Sequence, residues 1–166
     1  MSKLRIILVS ILLISNIAFG QKTEIVKGIF EYNQILETFV GTGQEKEEFI
    51  NILNKMDIKK IERYLELVSN DKYDEAEKVI QNDSILSIQD TRIISALYSC
   101  YFIFKNDLLD YNVISLENMR DYTVNVFLTK NQLEKIRPVL GKEMKLKTQY
   151  ITEVKYVNFR IYKLLN

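Results

Sequence analysis

Chemistry in this chain has to be done without histidine. Among 166 residues there are 23 Lys and Arg, 22 Asp and Glu, no His and one cysteine, Cys100. His-ligated zinc and haem, Ser-His-Asp triads and Cys-His pairs are therefore excluded. A di-iron bundle needs Glu-x-x-His pairs, which cannot be built. A calcium loop needs acids at alternate positions around a glycine, and neither 70–77 nor 106–112 has them. There is no G-x-x-x-x-G-K-S/T and no G-x-G-x-x-G, so phosphate-cradling loops have no support. No cofactor and no metal is expected. Paired carboxylates remain as a catalytic option, one acting as general acid in glycan cleavage. The candidates are Glu31, Glu37, Glu62 and Glu66. Glu62 and Glu66 are four apart on one helix face, as are many solvated pairs, and with no Trp a sugar cleft lacks its best stacking residue. A solvated helix face is the plainer reading, because acidic side chains are seldom buried. No catalytic residue is assigned.

The basic residues are more informative. Gln21 to Met119 carries 11 basic and 18 acidic side chains, whereas Arg120 to Asn166 carries 10 basic and 4 acidic. A nearly neutral total hides a dipolar chain. Either the two parts fold against each other through surface pairs, or a basic face stays free. The free face is favoured, with Lys130, Lys135, Arg137, Lys142, Lys145, Lys147, Lys155 and Arg160 as its cations. Lys142, Lys145, Lys147, Tyr150, Lys155 and Tyr156 are the candidate partner-binding residues, since tyrosine brings contact area at low entropic cost. Tyr32, Tyr64, Tyr73, Tyr98 and Tyr101 fall on or beside apolar stripes and read as core or rim.

The first twenty residues read as an export signal. Lys3 and Arg5 precede an apolar stretch from Ile6 to Ile14, and Ala18-Phe19-Gly20 sets small residues before a cut at Gln21. The stretch is shorter than the ~20 apolar residues of a membrane span. Cleavage leaves no transmembrane span; an uncleaved anchor is the alternative. The wealth of Lys, Ile and Asn suggests an AT-rich bacterial genome, so the expected location is periplasmic or extracellular. A lone Cys100 in an apolar run reads as a buried thiol, with an intermolecular disulfide as the alternative.

The elements that must position these residues read as helices, in a single domain over 21–166. Ile25, Ile29, Tyr32, Leu36 and Phe39 recur every three or four residues, one helical stripe. Gly41-Thr42-Gly43 stops it, and Thr42 with Glu45 forms a capping box for Phe49, Ile52, Leu53 and Met56. Asp57 caps a helix through Ile61, Leu65 and Val68; another follows from Tyr73 to Ile80; Asp90 caps one running to Phe104. Leu116 to Leu128 is softer, because Tyr122 to Leu128 also has strand composition. Thr129 and Gln132 form a capping box before Leu133 and Ile136, and Pro138 ends that helix. Lys142 to Asn166 has no Gly or Pro, and Tyr150, Val154, Val157, Ile161 and Leu164 predict a terminal helix. The expected fold is all-α: about eight short antiparallel helices, as a helical hairpin array or irregular bundle.

Residues 64–80, with the turn Ser69-Asn70-Asp71-Lys72, the aromatic Tyr73 and the small Ala76, resemble the middle of a tetratricopeptide unit. Asp71 stands where that family has a turn glycine. Asn106-Asp107 echoes Asn70-Asp71 after 36 residues. The resemblance covers about a tenth of the chain and implies, at most, a protein-binding surface. Together these features predict an exported binding module for another protein or an anionic envelope surface, with nucleic acid made unlikely by export. Inhibition of a toxin or hydrolase, with steered association, is the narrower alternative. A carboxylate-dependent glycan hydrolase is the enzymatic one.

Overall fold

The computed structural model describes residues 22–87, 89–117 and 120–166. The proposed export signal lies outside the described residues. Six strands and six helices follow in the order β1 (Thr23–Ile29), β2 (Glu31–Tyr32), α1 (Ile35–Val40), α2 (Gln44–Lys55), α3 (Ile58–Ser69), α4 (Tyr73–Ile80), α5 (Thr91–Lys105), β3 (Asn112–Leu116), β4 (Thr123–Leu128), α6 (Lys130–Ile136), β5 (Glu143–Val154) and β6 (Phe159–Leu164). The all-α expectation is thus wrong: this is an α+β fold built on a mixed six-stranded sheet, not an array of helical hairpins.

The sheet runs β1-β5-β6-β4-β3-β2, antiparallel throughout except for the parallel β4–β6 pair. β1 and β2 sit at opposite ends of this order, yet only Phe30 separates them in the chain. The sheet must therefore curl until its two edges approach. Gly28 marks that approach: a Cβ placed there would lie 2.6 Å from Leu116 Cδ1, so only a glycine fits without moving a neighbour. The hollow of the curl holds one core: Val26, Phe30, Ile114, Leu116, Val124, Val126, Leu128, Leu146 and Tyr162. Leu133 of α6 belongs to it, and Ile136 and Leu140 pack against it, so α6 closes one end. The outer face carries Val113, Phe127, Val154 and Ile161, and these join the core made by α1 to α5.

The helices between 44 and 105 form where their apolar spacing and caps predict. Asp57 accepts from the amides of Lys59 and Lys60, and Asp90 from those of Arg92 and Ile93. Thr129 and Gln132 make the expected capping box. Thr42 and Glu45 do not: α2 begins after Gly43 without a side-chain cap. The echo of Asn70-Asp71 in Asn106-Asp107 is a shared helix terminator. In each, the Asn amide reaches the carbonyl four residues back, the Asp adopts φ 58° or 57°, and the next amide bonds the carbonyl five residues back. That is a Schellman ending with Asp in the left-handed position usually held by Gly. A helix follows the first terminator; a short turn and β3 follow the second.

Three predicted helices are wholly or partly strand: 25–39 begins as β1 and β2, 116–128 holds β4 as its strand composition allowed, and 142–166 is β5 and β6. A spacing of four residues returns to the same side of a helix and, being even, also to the same face of a strand. Ile25 and Ile29 satisfy both periods, and so do Val26 and Phe30. The β-branched content of Thr23, Ile25, Val26 and Ile29 favours the strand. In the terminal segment, Lys155–Val157 forms a 3₁₀ turn and Asn158 takes φ 48°, which supplies the reversal between β5 and β6. A left-handed asparagine did the work of the missing glycine.

Candidate interaction surface

β1 and β5 carry two faces of opposite character. The hollow face reaches an open mouth at the end away from α6. A register shift between Tyr150 and Thr152 inserts one extra residue in β5. The bulge lets Tyr150 and Glu153, three residues apart, line the same small cavity of about 310 Å³ with Lys22, Glu24, Arg160 and Tyr162. Charges here are mutually satisfied. Lys22 pairs with Glu24 at 2.5 Å, and Tyr162 donates to Glu24 at 3.0 Å. Arg160 Nε donates to Glu153 at 3.0 Å while its guanidinium lies 3.7 Å from the centre of the Tyr122 ring. The hydrogen bond from Lys22 holds the Glu24 carboxyl below its usual range, with desolvation opposing and Tyr162 assisting. Burial, then the bond to Glu24, pushes the Tyr162 hydroxyl up to about 12.

The opposite face of the same strands is uncovered. Ile25, Lys27 and Ile29 of β1 and Glu143, Lys145 and Lys147 of β5 are all exposed. Ile25 stands opposite Lys147, Lys27 opposite Lys145, and Ile29 opposite Glu143. Like charges directly across a strand pair oppose folding. Lys27 turns to Glu143 at 2.6 Å. Among the described residues, Lys142, Lys145 and Lys147 enter no ion pair. Nor does any basic residue after 120 pair with an acid before 117: Arg137 takes Glu134 and Arg160 takes Glu153. The excess positive charge of the C-terminal third is not cancelled by the acidic part.

The six candidate residues therefore separate. Lys145 and Lys147 share the uncovered face, and Lys142 sits just before β5. Tyr150 points the other way, ring against ring with Tyr162 at 5.5 Å. Lys155 and Tyr156 lie in the β5–β6 turn, where Tyr156 packs against the helical core beside Tyr98 at 6.3 Å. Lys130, Lys135 and Arg137 ride on α6 and the turn after it, and Arg160 is committed to the mouth. Lys27, Ile25 and Ile29 were missed. The alternation of Val26, Gly28 and Phe30 with Ile25, Lys27 and Ile29 was the signal that could have found them.

Other recesses have different uses. One of about 810 Å³ lies among α3, α4 and the start of α5 and is rimmed by Asp74, Glu77 and Asp90. Asp90 is committed to capping, and the amide of Ile93 foremost holds its carboxyl below the usual range. No cluster of three acids suited to a metal occurs among the described residues. Of the carboxylates considered for glycan cleavage, Glu37 accepts from Tyr32, Glu62 from Tyr98 and Glu66 from Arg63; Glu31 lines a separate recess beside β2. Cys100 is buried within α5, and burial pushes its thiol up to about 12, which leaves it protonated and unreactive at neutral pH. No described helix is long and apolar enough to cross a membrane. Comparison of the chain with protein-family models, with curated proteins and with solved structures returns no match.

Proposed function

We propose that the chain is an exported protein-binding module that offers the uncovered face of β1 and β5 to an acidic partner protein outside the cytoplasm. One observation carries this reading. Among the described residues, Lys145 and Lys147, with Lys142 beside them, stand on a sheet face that no helix covers and find no counter-charge, while every charge of the mouth is paired. The unpaired charge of Lys145 and Lys147 does nothing for the fold, but it steers an acidic partner and fixes its register. Export follows from the composition of residues 1–20 and is part of the same proposal.

The test is site-specific photocrosslinking in the native host, with the probe at Lys147 or, as control, at Lys78 on α4. A discrete adduct from position 147, absent from position 78, weakened by salt in the parent and lost in Lys145→Glu at low salt, supports the reading. An adduct indifferent to both charge reversal and salt overturns it. Fractionation of the same cells checks the location, and recovery of the chain from the cytoplasm alone removes export.

A further inference from the structure

The open edge of β1 indicates how such a partner is held. β1 pairs with β5 and, among the described residues, with no other strand. At its two ends, Tyr150 N donates to Lys22 O and Gly141 N donates to Phe30 O, both at 3.0 Å. Bonding alternates along an antiparallel pair, so the N–H and C=O groups of Glu24, Val26 and Gly28 turn toward β5. Those of Thr23, Ile25, Lys27 and Ile29 turn the other way. Beyond Phe30 that other side is in use: Glu31 pairs with Ser115, and Asn33 N donates to Val113 O at 2.8 Å. Toward the start of β1, away from the approach of Leu116 to Gly28, the edge that β2 closes onto β3 has no strand beside it among the described residues. Among the described residues no backbone group bonds to it.

An exposed strand with a row of unpaired amides and carbonyls is a template for another strand. The side chains beside this edge say which one. On the uncovered face, Ile25 is 72% exposed and Ile29 47%, with Lys27 between them. A strand laid along β1 sets one residue opposite each. Its complement is apolar against Ile25 and Ile29 and acidic between them, where Lys27 already shares Glu143 and the unpaired charge belongs to Lys145 and Lys147. Lys145 and Lys147 lie one strand further in, about 10 Å from the newcomer at ~4.8 Å per strand, which is roughly one Debye length. They add to the attraction. A second copy of this chain is a poor occupant, because β1 against β1 would gather two sets of Lys27, Lys145 and Lys147 with only Glu143 from each copy to offset them.

We infer that β1 binds an extended segment of the partner by strand addition, and that this segment carries an acidic residue flanked by apolar residues at alternate positions. The inference rests on the reading of the β1–β5 face as the partner-binding face, and the two fail separately.

The probe is the blocked heptapeptide Thr-Val-Thr-Glu-Thr-Val-Thr, titrated into the millimolar range against the isotopically labelled full chain and followed by amide chemical shifts. Methylating one alternate set of peptide amides, and that set alone, abolishes binding when a strand is added. Ile25→Pro removes one outward amide without touching the β1–β5 ladder and weakens binding by about tenfold or more, whereas Ile25→Ser keeps the amide and costs only a few-fold. The methylated peptides are read on the parent protein, so the result stands even if Ile25→Pro fails to fold. Equal loss from both methylated sets, no shifts at all with the parent peptide, or full binding by Ile25→Pro overturns strand addition. If Ile25→Pro binds fully while Lys145→Glu with Lys147→Glu does not, the charged face survives and strand addition alone is lost. If neither change matters, both readings fall. Concentration-dependent dimers that Ile25→Pro dissolves would make the occupant a second copy and overturn the choice of partner.

Discussion

The two faces of the β1–β5 pair are made from the same strands and treat charge in opposite ways. On the hollow side, Lys22, Glu24, Glu153 and Arg160 lie at the mouth, and each has an ionic or hydroxyl counterpart within 3.0 Å. On the outer side, Lys27 faces Lys145, and Lys145 and Lys147 make no ion pair among the described residues. Desolvation explains the difference. A charge at a half-closed mouth loses water and must be compensated locally, whereas a charge on an open face keeps its water and tolerates being unpaired. Internal pairing marks the mouth as part of the fold. Unspent charge on the outer face supports the proposal that this face meets a partner.

The contrast is sharpest at neighbouring residues. Phe30 is fully buried in the hollow and Ile29 is 47% exposed on the outer face. Phe30→Ala is expected to cost about 3–5 kcal/mol, against about 0.5 kcal/mol or less for Ile29→Ala, measured by chemical denaturation. Equal losses would mean that the outer face is covered by something in the folded chain and would break the distinction.

A middle-sized effect is expected at the mouth. Glu24→Gln leaves Tyr162 and Lys22 without their carboxylate and should cost about 1 kcal/mol at neutral pH, since the site is partly open to water. The sign with pH follows from the direction of the shift. A carboxyl held below its ordinary 4.5 contributes stability above that pH and loses it as pH falls through the lower folded value. The gap between parent and Glu24→Gln should therefore close in acid. A gap that persists at low pH would show that packing, not charge, is at stake.

Tyr162 acts at the other end of the pH scale. Its hydroxyl is raised from 10.0 to about 12, so its contribution is intact below pH 10 and is lost as pH rises from about 10 to about 12. Tyr162→Phe should flatten that part of the alkaline unfolding profile, read by circular dichroism. An unchanged profile would place the alkaline loss at other groups such as Tyr98, whose hydroxyl is also raised by burial beside Glu62.

The smallest change in stability belongs to the outer face. Reversing Lys142, Lys145 and Lys147 to Glu together should leave the melting temperature nearly unchanged, with a few tenths of a kcal/mol gained where Lys27 no longer faces a like charge. Association with an acidic partner should slow strongly at low salt and little at high salt. A large drop in melting temperature with unaltered association would assign these lysines to the fold.

Much of the helical layer was legible in the sequence, because its signals are local. Asp57, Asp90 and the Thr129–Gln132 box cap the helices they predict, and Asn70-Asp71 and Asn106-Asp107 end the first two of these helices with matching geometry. The absence of histidine and the segregation of charge along the chain were equally plain, whereas of the candidate face Lys142, Lys145, Lys147, Tyr150, Lys155 and Tyr156 only Lys145 and Lys147 share the outer side of β5. What sequence alone could not decide was the period of 23–32 and 142–166, since a spacing of four suits a helix and a strand alike. Tertiary contacts decided it. Val26 and Phe30 are buried only because β5 and β3 flank the chain on either side of the Phe30 crossover, and Tyr150 and Tyr162 face each other only because Asn158 reverses the chain. Sheet partners are remote in sequence, so the face on which a residue lies, and with it the division between paired mouth and free outer surface, exists only once the sheet has curled.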